Sequence, residues 1–165
     1  MIKFLVEGLS SKNALLQTHC ASAIFKCAED DEVRNIVRQC HGLAPLVALL
    51  DQSANKELLV AATGAVWKCA HNLENVAAFN KLNTIKKLVS LLDNQPEEVL
   101  VNVVGALGAC AKVADGRQAI RESGGIPSLA NLLKGTNQNL LINVTTAVGA
   151  CAHDSTSPVF IYRVI

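Results

Sequence analysis

Four cysteines divide the chain into nearly equal parts. Cys27, Cys69, Cys110 and Cys151 recur at intervals of about 41 residues, and each is followed by alanine. A second block recurs in step with them: Leu5-Val6-Glu7-Gly8-Leu9, Leu46-Val47-Ala48-Leu49-Leu50, Leu88-Val89-Ser90-Leu91-Leu92 and Leu129-Ala130-Asn131-Leu132-Leu133. It precedes its cysteine by the same distance in three copies. The second copy has a single additional residue, which falls in the Asp51–Lys56 loop. Two independent blocks kept in register through four copies leave little freedom of fold. Such a period implies stacked helical units, each burying its apolar face against its neighbours.

Each unit reads as three helices. A short first helix is predicted over Glu32–Gln39, Glu74–Leu82 and Gly116–Ser123. A second is predicted over Leu43–Leu50, Thr84–Leu92 and Ile126–Leu133, and the longest over Asn13–Ala28, Lys56–Ala70, Pro96–Ala111 and Asn139–Ala152. The prolines Pro45, Pro96, Pro127 and Pro158 all fit helix starts, where the missing N–H costs nothing. The acidic pair Glu97-Glu98 suits the positive end of a helix. Gly42 and Gly124-Gly125 fall at the turn between first and second helices, where a positive φ is expected.

Composition narrows the function. Half the residues are hydrophobic, only 4% are aromatic and the net charge is +1, so the core is built of Ala, Val, Leu, Ile and Cys. That apolar content excludes intrinsic disorder. The charge balance offers no electrostatic footprint for phosphates, so no nucleic-acid partner is expected. The longest apolar stretch, Val99–Ala111, is interrupted by Asn102 and is too short for a membrane span. The start, Met1-Ile2-Lys3-Phe4-Leu5-Val6-Glu7-Gly8, lacks the apolar region of a signal peptide. A cytoplasmic chain without membrane insertion is therefore expected.

The cysteines read as core filler. Equivalent positions on stacked helices lie about 8–10 Å apart, beyond the ~7 Å reach of a disulfide. Cys20 and Cys27 are too far apart along one helix to bridge. Cys40-His41 and the Cys69/His71 and Cys151/His153 triplets could suggest metal pairs, but they lack a second converging pair, and no metal or cofactor is expected. Free thiols agree with a reducing compartment. Nucleophile, metalloprotease and phosphate-loop motifs are missing, so no enzyme is expected. The formal glycosylation sequon at Asn143-Val144-Thr145 lies within a helix.

The stretch Gly64-Ala65-Val66-Trp67-Lys68-Cys69-Ala70 and its three equivalents resemble the G-A-L-x-N-L-A signature of armadillo repeats. The implied fold is all-α, a right-handed armadillo-repeat superhelix of about four repeats (1–31, 32–73, 74–114 and 115–154), with 155–165 opening a further unit of one solenoid over 1–165. The resemblance places the third helices along a concave inner face. Peptide-gripping import receptors of the family carry an Asn ladder just before the Cys position, where this chain has Lys26, Lys68, Ala109 and Ala150. Their Trp, one helical turn earlier, is replaced by Ser22, Gly64, Gly105 and Thr146.

Small residues take over that stripe. Gly64, Gly105, Gly108 and Gly149 stand inside helices, at about 1 kcal/mol each relative to Ala, so a compensating gain is required. Close packing of repeats is one reading, and a flat trough for a bulky helical partner is the other. Asn102 and Asn143, with His19 in the first unit, form either a shifted polar ladder or a solvated inner face. Phe25-Lys26 and Trp67-Lys68 are equivalent pairs in adjacent units, either a partner anchor or partly buried packing. The candidate partner-binding residues are thus His19, Ser22, Phe25, Lys26, Gly64, Trp67, Lys68, Asn102, Gly105, Asn143 and Thr146.

A closer resemblance runs through Asn94–Gly108, Ala23–Asp30 and Ala147–Ala152. These segments are similar to the armadillo-repeat subunits of the complex that docks outer dynein arms on ciliary doublet microtubules. That resemblance implies a non-catalytic scaffold of the ciliary axoneme whose partners are helical or coiled-coil docking subunits and dynein arm components. The alternative is an adaptor that binds extended peptides, of the nuclear import or adhesion type. Both ends lack polar capping helices, and Phe160, Ile161, Val164 and Ile165 are expected to be partly exposed. This reads as a piece of a longer array, truncated at both ends.

Overall fold

The structure, a computed structural model, describes residues 1–152. Among them are eleven α-helices and no strand. The helices are α1 (Ile2–Leu9), α2 (Ala14–Cys27), α3 (Asp31–Gln39), α4 (Leu43–Leu49), α5 (Lys56–Cys69) and α6 (Leu73–Lys81). They continue as α7 (Thr84–Ser90), α8 (Glu97–Cys110), α9 (Ala114–Glu122), α10 (Gly125–Leu132) and α11 (Gln138–Cys151). Every predicted helix within the described residues is present, with its ends shifted by less than a helical turn. Pro158 and the apolar residues Phe160, Ile161, Val164 and Ile165 lie outside the described residues, as does His153.

Side-chain caps start five of the eleven helices. Asn13, Asp30, Asn55, Asn72 and Asn137 each accept a hydrogen bond from a backbone N–H in the first turn that follows. Helix α8 has no such cap. Pro96 stands at its N-cap, and Glu97 and Glu98 occupy the first turn, as the sequence suggests.

The chain packs as two compact units, one up to Thr84 and one from Ile85. In the first, α2 lies along α5, with α1 and α4 closing on them. Leu9, Ile24, Leu46, Leu58, Leu59 and Phe79 are its largest fully buried side chains. In the second, α8 and α11 pair in the same way, with α10 against α11 and α9 against α10. Leu88, Leu107, Ile120, Ile126 and Leu129 fill that core. Cys69, Cys110 and Cys151 are fully buried in the register of the helices, and all six cysteines are free thiols. Burial pushes the Cys69 and Cys110 thiols up to about 12.

The turn between first and second helices differs from expectation in the first copy. Gly42 has φ −75°, and the left-handed residue is His41, at φ 58°. Asn83 (φ 54°) and Gly124 (φ 74°) take the equivalent place in the next two copies. Gly42 is required by close approach instead: a Cβ there would sit 2.7 Å from Val6 Cγ2 and 3.0 Å from Val37 O. Gly125, its counterpart, is confined in the same way by Ile120 and Val89.

Candidate functional site

The pairing of α2 with α5 brings four of the candidate residues into one cluster. The ring of Phe25 lies against Gly64, whose added Cβ would stand 3.1 Å from the ring, so this glycine admits an aromatic side chain from the neighbouring helix. Lys68 extends over both rings, its Nζ 5.9 Å from the centre of Phe25 and 5.2 Å from that of Trp67. The same Nζ pairs with Glu29 Oε1 at 2.5 Å. Trp67 also stands beside His71, ring centres 6.3 Å apart and tilted by 37°.

The electrostatics follow from this arrangement. The Lys68 side chain is only 19% exposed, and its charge is met by a carboxylate and two aromatic faces. The hydrogen bond from Lys68, and then its charge, hold the Glu29 carboxyl below its ordinary range. Lys68 thus lies over both rings and ties α5 to Glu29, just past the end of α2. Phe25 and Trp67 are half-buried, and Lys26 beside them is exposed. Glu29 is a member that sequence reasoning did not single out, and His71, noted there only as half of a Cys/His triplet, joins the cluster through Trp67. Glu29 follows α2 and Lys68 lies near the end of α5, in different repeats, so no local spacing marks the pair.

The remaining candidates are spread along the third helices. His19 is exposed and Ser22 half-buried on α2. Asn102 and Gly105 are buried on α8. Asn143 on α11 is half-buried, and its Nδ2 donates to Val101 O at 3.1 Å, tying α11 to the backbone of α8. Thr146 is exposed, its hydroxyl turned back to Ile142 O at 2.8 Å. Gly108 faces Ala147 across the α8–α11 contact, whereas a Cβ on Gly149 would meet nothing within 4 Å. Among the described residues, no group of three His, Cys, Asp or Glu could hold a metal ion, and no helix is long and apolar enough to cross a membrane.

The Armadillo/beta-catenin-like repeat family model matches residues 30–71 and 114–149. A computationally designed armadillo repeat protein for modular peptide recognition superposes with a TM-score of 0.91 at 25% identity, over 99% of this chain and 70% of that one. A second designed armadillo repeat protein gives 0.92 at 25% identity over the same shares. Repeats and fold together give an armadillo-type solenoid built of helical units. Among natural proteins, this chain is 54% identical over 98 residues to outer dynein arm-docking complex subunit 2 of Bos taurus, covering 59% of this chain and 9% of that protein. It is 42% identical over 101 residues to the armadillo repeat-containing protein gudu of Drosophila melanogaster, covering 59% of this chain and 15% of that one. The matched stretch thus spans a small fraction of either relative.

Proposed function

We propose that this chain is a non-catalytic scaffold segment that serves the docking of outer dynein arms on the axoneme of motile cilia. The observation that carries the proposal is the 54% identity to the bovine docking-complex subunit over 98 residues. Its partners on this reading are helical or coiled-coil docking subunits and dynein arm components. The contact is made by third helices. In the first unit, Trp67, Phe25 and Lys26 offer a rigid, partly exposed aromatic and cationic surface, with His19 and Ser22 on the same α2 helix as Phe25. A ring held by a neighbouring cation loses little freedom on binding, which favours it as an anchor. The buried Gly64 supports this surface from beneath. In the second unit, Thr146 is the exposed candidate on α11, while Asn102 and Gly105 are buried on α8 and Asn143 braces α11.

The adaptor for extended peptides remains the second reading, favoured by the designed peptide-recognition protein of the same fold. Lys26, Lys68, Ala109 and Ala150 stand where that mode uses an asparagine ladder, which weighs against it. Expression of the tagged chain in multiciliated cells separates the two. Docking predicts retention on detergent-extracted axonemes, reduced by Trp67→Ala. Enrichment in the nucleus or at cell junctions, or axonemal retention indifferent to Trp67→Ala together with Lys26→Glu, would overturn the proposed contact.

A further inference from the structure

Each third helix carries the same apolar stripe, and the first repeat leaves its stripe open. On α5 the stripe includes Leu58, Ala65 and Cys69, and on α11 it includes Leu140, Ala147 and Cys151. All six are buried, in helices that pair with α2 and with α8 respectively. The same places on α2 are held by Leu16, Ala23 and Cys27. Leu16 is 46% exposed where Leu58 is fully buried, and Ala23 and Cys27 are half-buried. Cys27 also borders a cavity of about 520 Å³ shared with Ile2, Val33 and Ile36, so the open apolar surface continues to α3.

The pairing of α8 with α11 shows what lies over such a stripe. A Cβ on Gly108 would stand 3.6 Å from that of Ala147, and Val101 O accepts from Asn143. One repeat on, Gly149 and Ile142 of α11 take the places of Gly108 and Val101. Gly149 is exposed, with nothing within 4 Å of an added Cβ, and Ile142 is 62% exposed. The first repeat has Ala23 in the place of Ala147 and His19 in the place of Asn143. One chain thus carries both halves of a repeat-to-repeat contact, in register, and leaves both open. Repeats of this kind are stabilised chiefly by the interface with the next one.

We infer that copies of this chain associate head to tail, the α11 face of one against the α2 face of the next, with Gly149 against Ala23 and Ile142 beside His19. The contact joins two different surfaces, so association does not stop at a dimer. It goes beyond the docking reading and does not depend on it. Sedimentation of the full chain over a concentration series tests it, and a mass rising past the dimer is expected. Leu16→Glu disables the α2 face and Gly149→Glu the α11 face, both at positions already exposed. Each variant alone is expected to remain a monomer. Their equimolar mixture is expected to form a dimer of one of each that grows no further, because it retains a single good face of either kind. Leu15→Glu supplies the residue that Glu57 and Glu98 place there in the next repeats, exposed in each, and is expected to leave association unchanged. Thermal melts check that the variants fold, and Leu16→Gln or Ile142→Glu replaces either one that does not. A parent chain that is monomeric at every concentration, or a mixture of folded variants that stays monomeric, would overturn the inference. So would association kept by Gly149→Glu and lost in Leu16→Glu, which means symmetric pairing of α2 faces. Equal loss in Leu15→Glu would overturn it in favour of unregistered apolar contact.

Discussion

Asn75 ties the first helix of one repeat to the repeat before it, and its replacement tests how these units are joined. The side chain is fully buried. Its Nδ2 donates to Arg34 O at 3.2 Å and to Cys69 O at 3.1 Å, and its Oδ1 accepts from Arg38 Nη1 at 3.0 Å. Asn75→Leu fills a similar volume but removes all three bonds and leaves the Cys69 carbonyl buried without this partner. Arg38 keeps Asn35, Asn72 and Glu74, so little is lost at that end. Both carbonyls keep a backbone partner, Cys69 O the N–H of Asn72 and Arg34 O its helical bond in α3. The loss is therefore that of two ordinary hydrogen bonds at about 0.5–1.5 kcal/mol each, or about 1–3 kcal/mol in total and roughly 5- to 150-fold in the unfolding equilibrium. Urea denaturation followed by the fluorescence of Trp67, the single tryptophan and a member of the same unit, reads the effect directly. Asn75→Ala adds a cavity and should lose somewhat more. If Asn75→Leu unfolds within about 0.5 kcal/mol of the parent, the position needs volume alone, and the hydrogen-bond argument fails.

Two further outcomes follow from the packing. Gly116→Ala drives a Cβ into Cys110 O, a backbone atom that cannot swing away, so a loss above about 3 kcal/mol is expected. Gly149→Ala, in a helix with nothing within 4 Å of the new methyl, should instead gain about 0.5–1 kcal/mol; thermal melts of the two variants in parallel check the contrast. Thiol labelling of the folded chain at pH 8 should modify the half-buried Cys27 and Cys40 first. Cys69 and Cys110, raised to about 12, should stay unmodified until denaturant is added, because about one such thiol in 10,000 is ionised at that pH. The folded state holds these two protons more tightly than the unfolded state. Their contribution is therefore complete below the ordinary thiol value of 9.0 and declines as pH rises toward 12. Rapid labelling of all six thiols without denaturant would refute the burial argument.

The sequence by itself determined the repeat, the helix pattern within it and the armadillo fold. These rest on periodic patterns: a Cys-Ala at the end of each third helix, its cysteine buried in all but the first copy, a Leu block in each second helix, and prolines only where a helix can begin. Such patterns survive in one dimension because each unit solves the same packing problem. What the tertiary structure decided lies between repeats, where partners come from different copies and no spacing announces them. The Lys68–Glu29 pair, the ring of Phe25 over Gly64 and the Asn75 bonds to Arg34 and Cys69 are all of this kind. The turn at Gly42 shows the same limit: two adjacent residues could have taken the positive φ, which falls on His41, as on Asn83 and Gly124 in the next copies, while Gly42 is required by the nearness of Val6 and Val37. Glycines alike in sequence were likewise separated by their neighbours alone, Gly64 covered by an aromatic ring and Gly149 open. A helical position specifies which way a side chain points, and only the packed neighbour decides what it meets there.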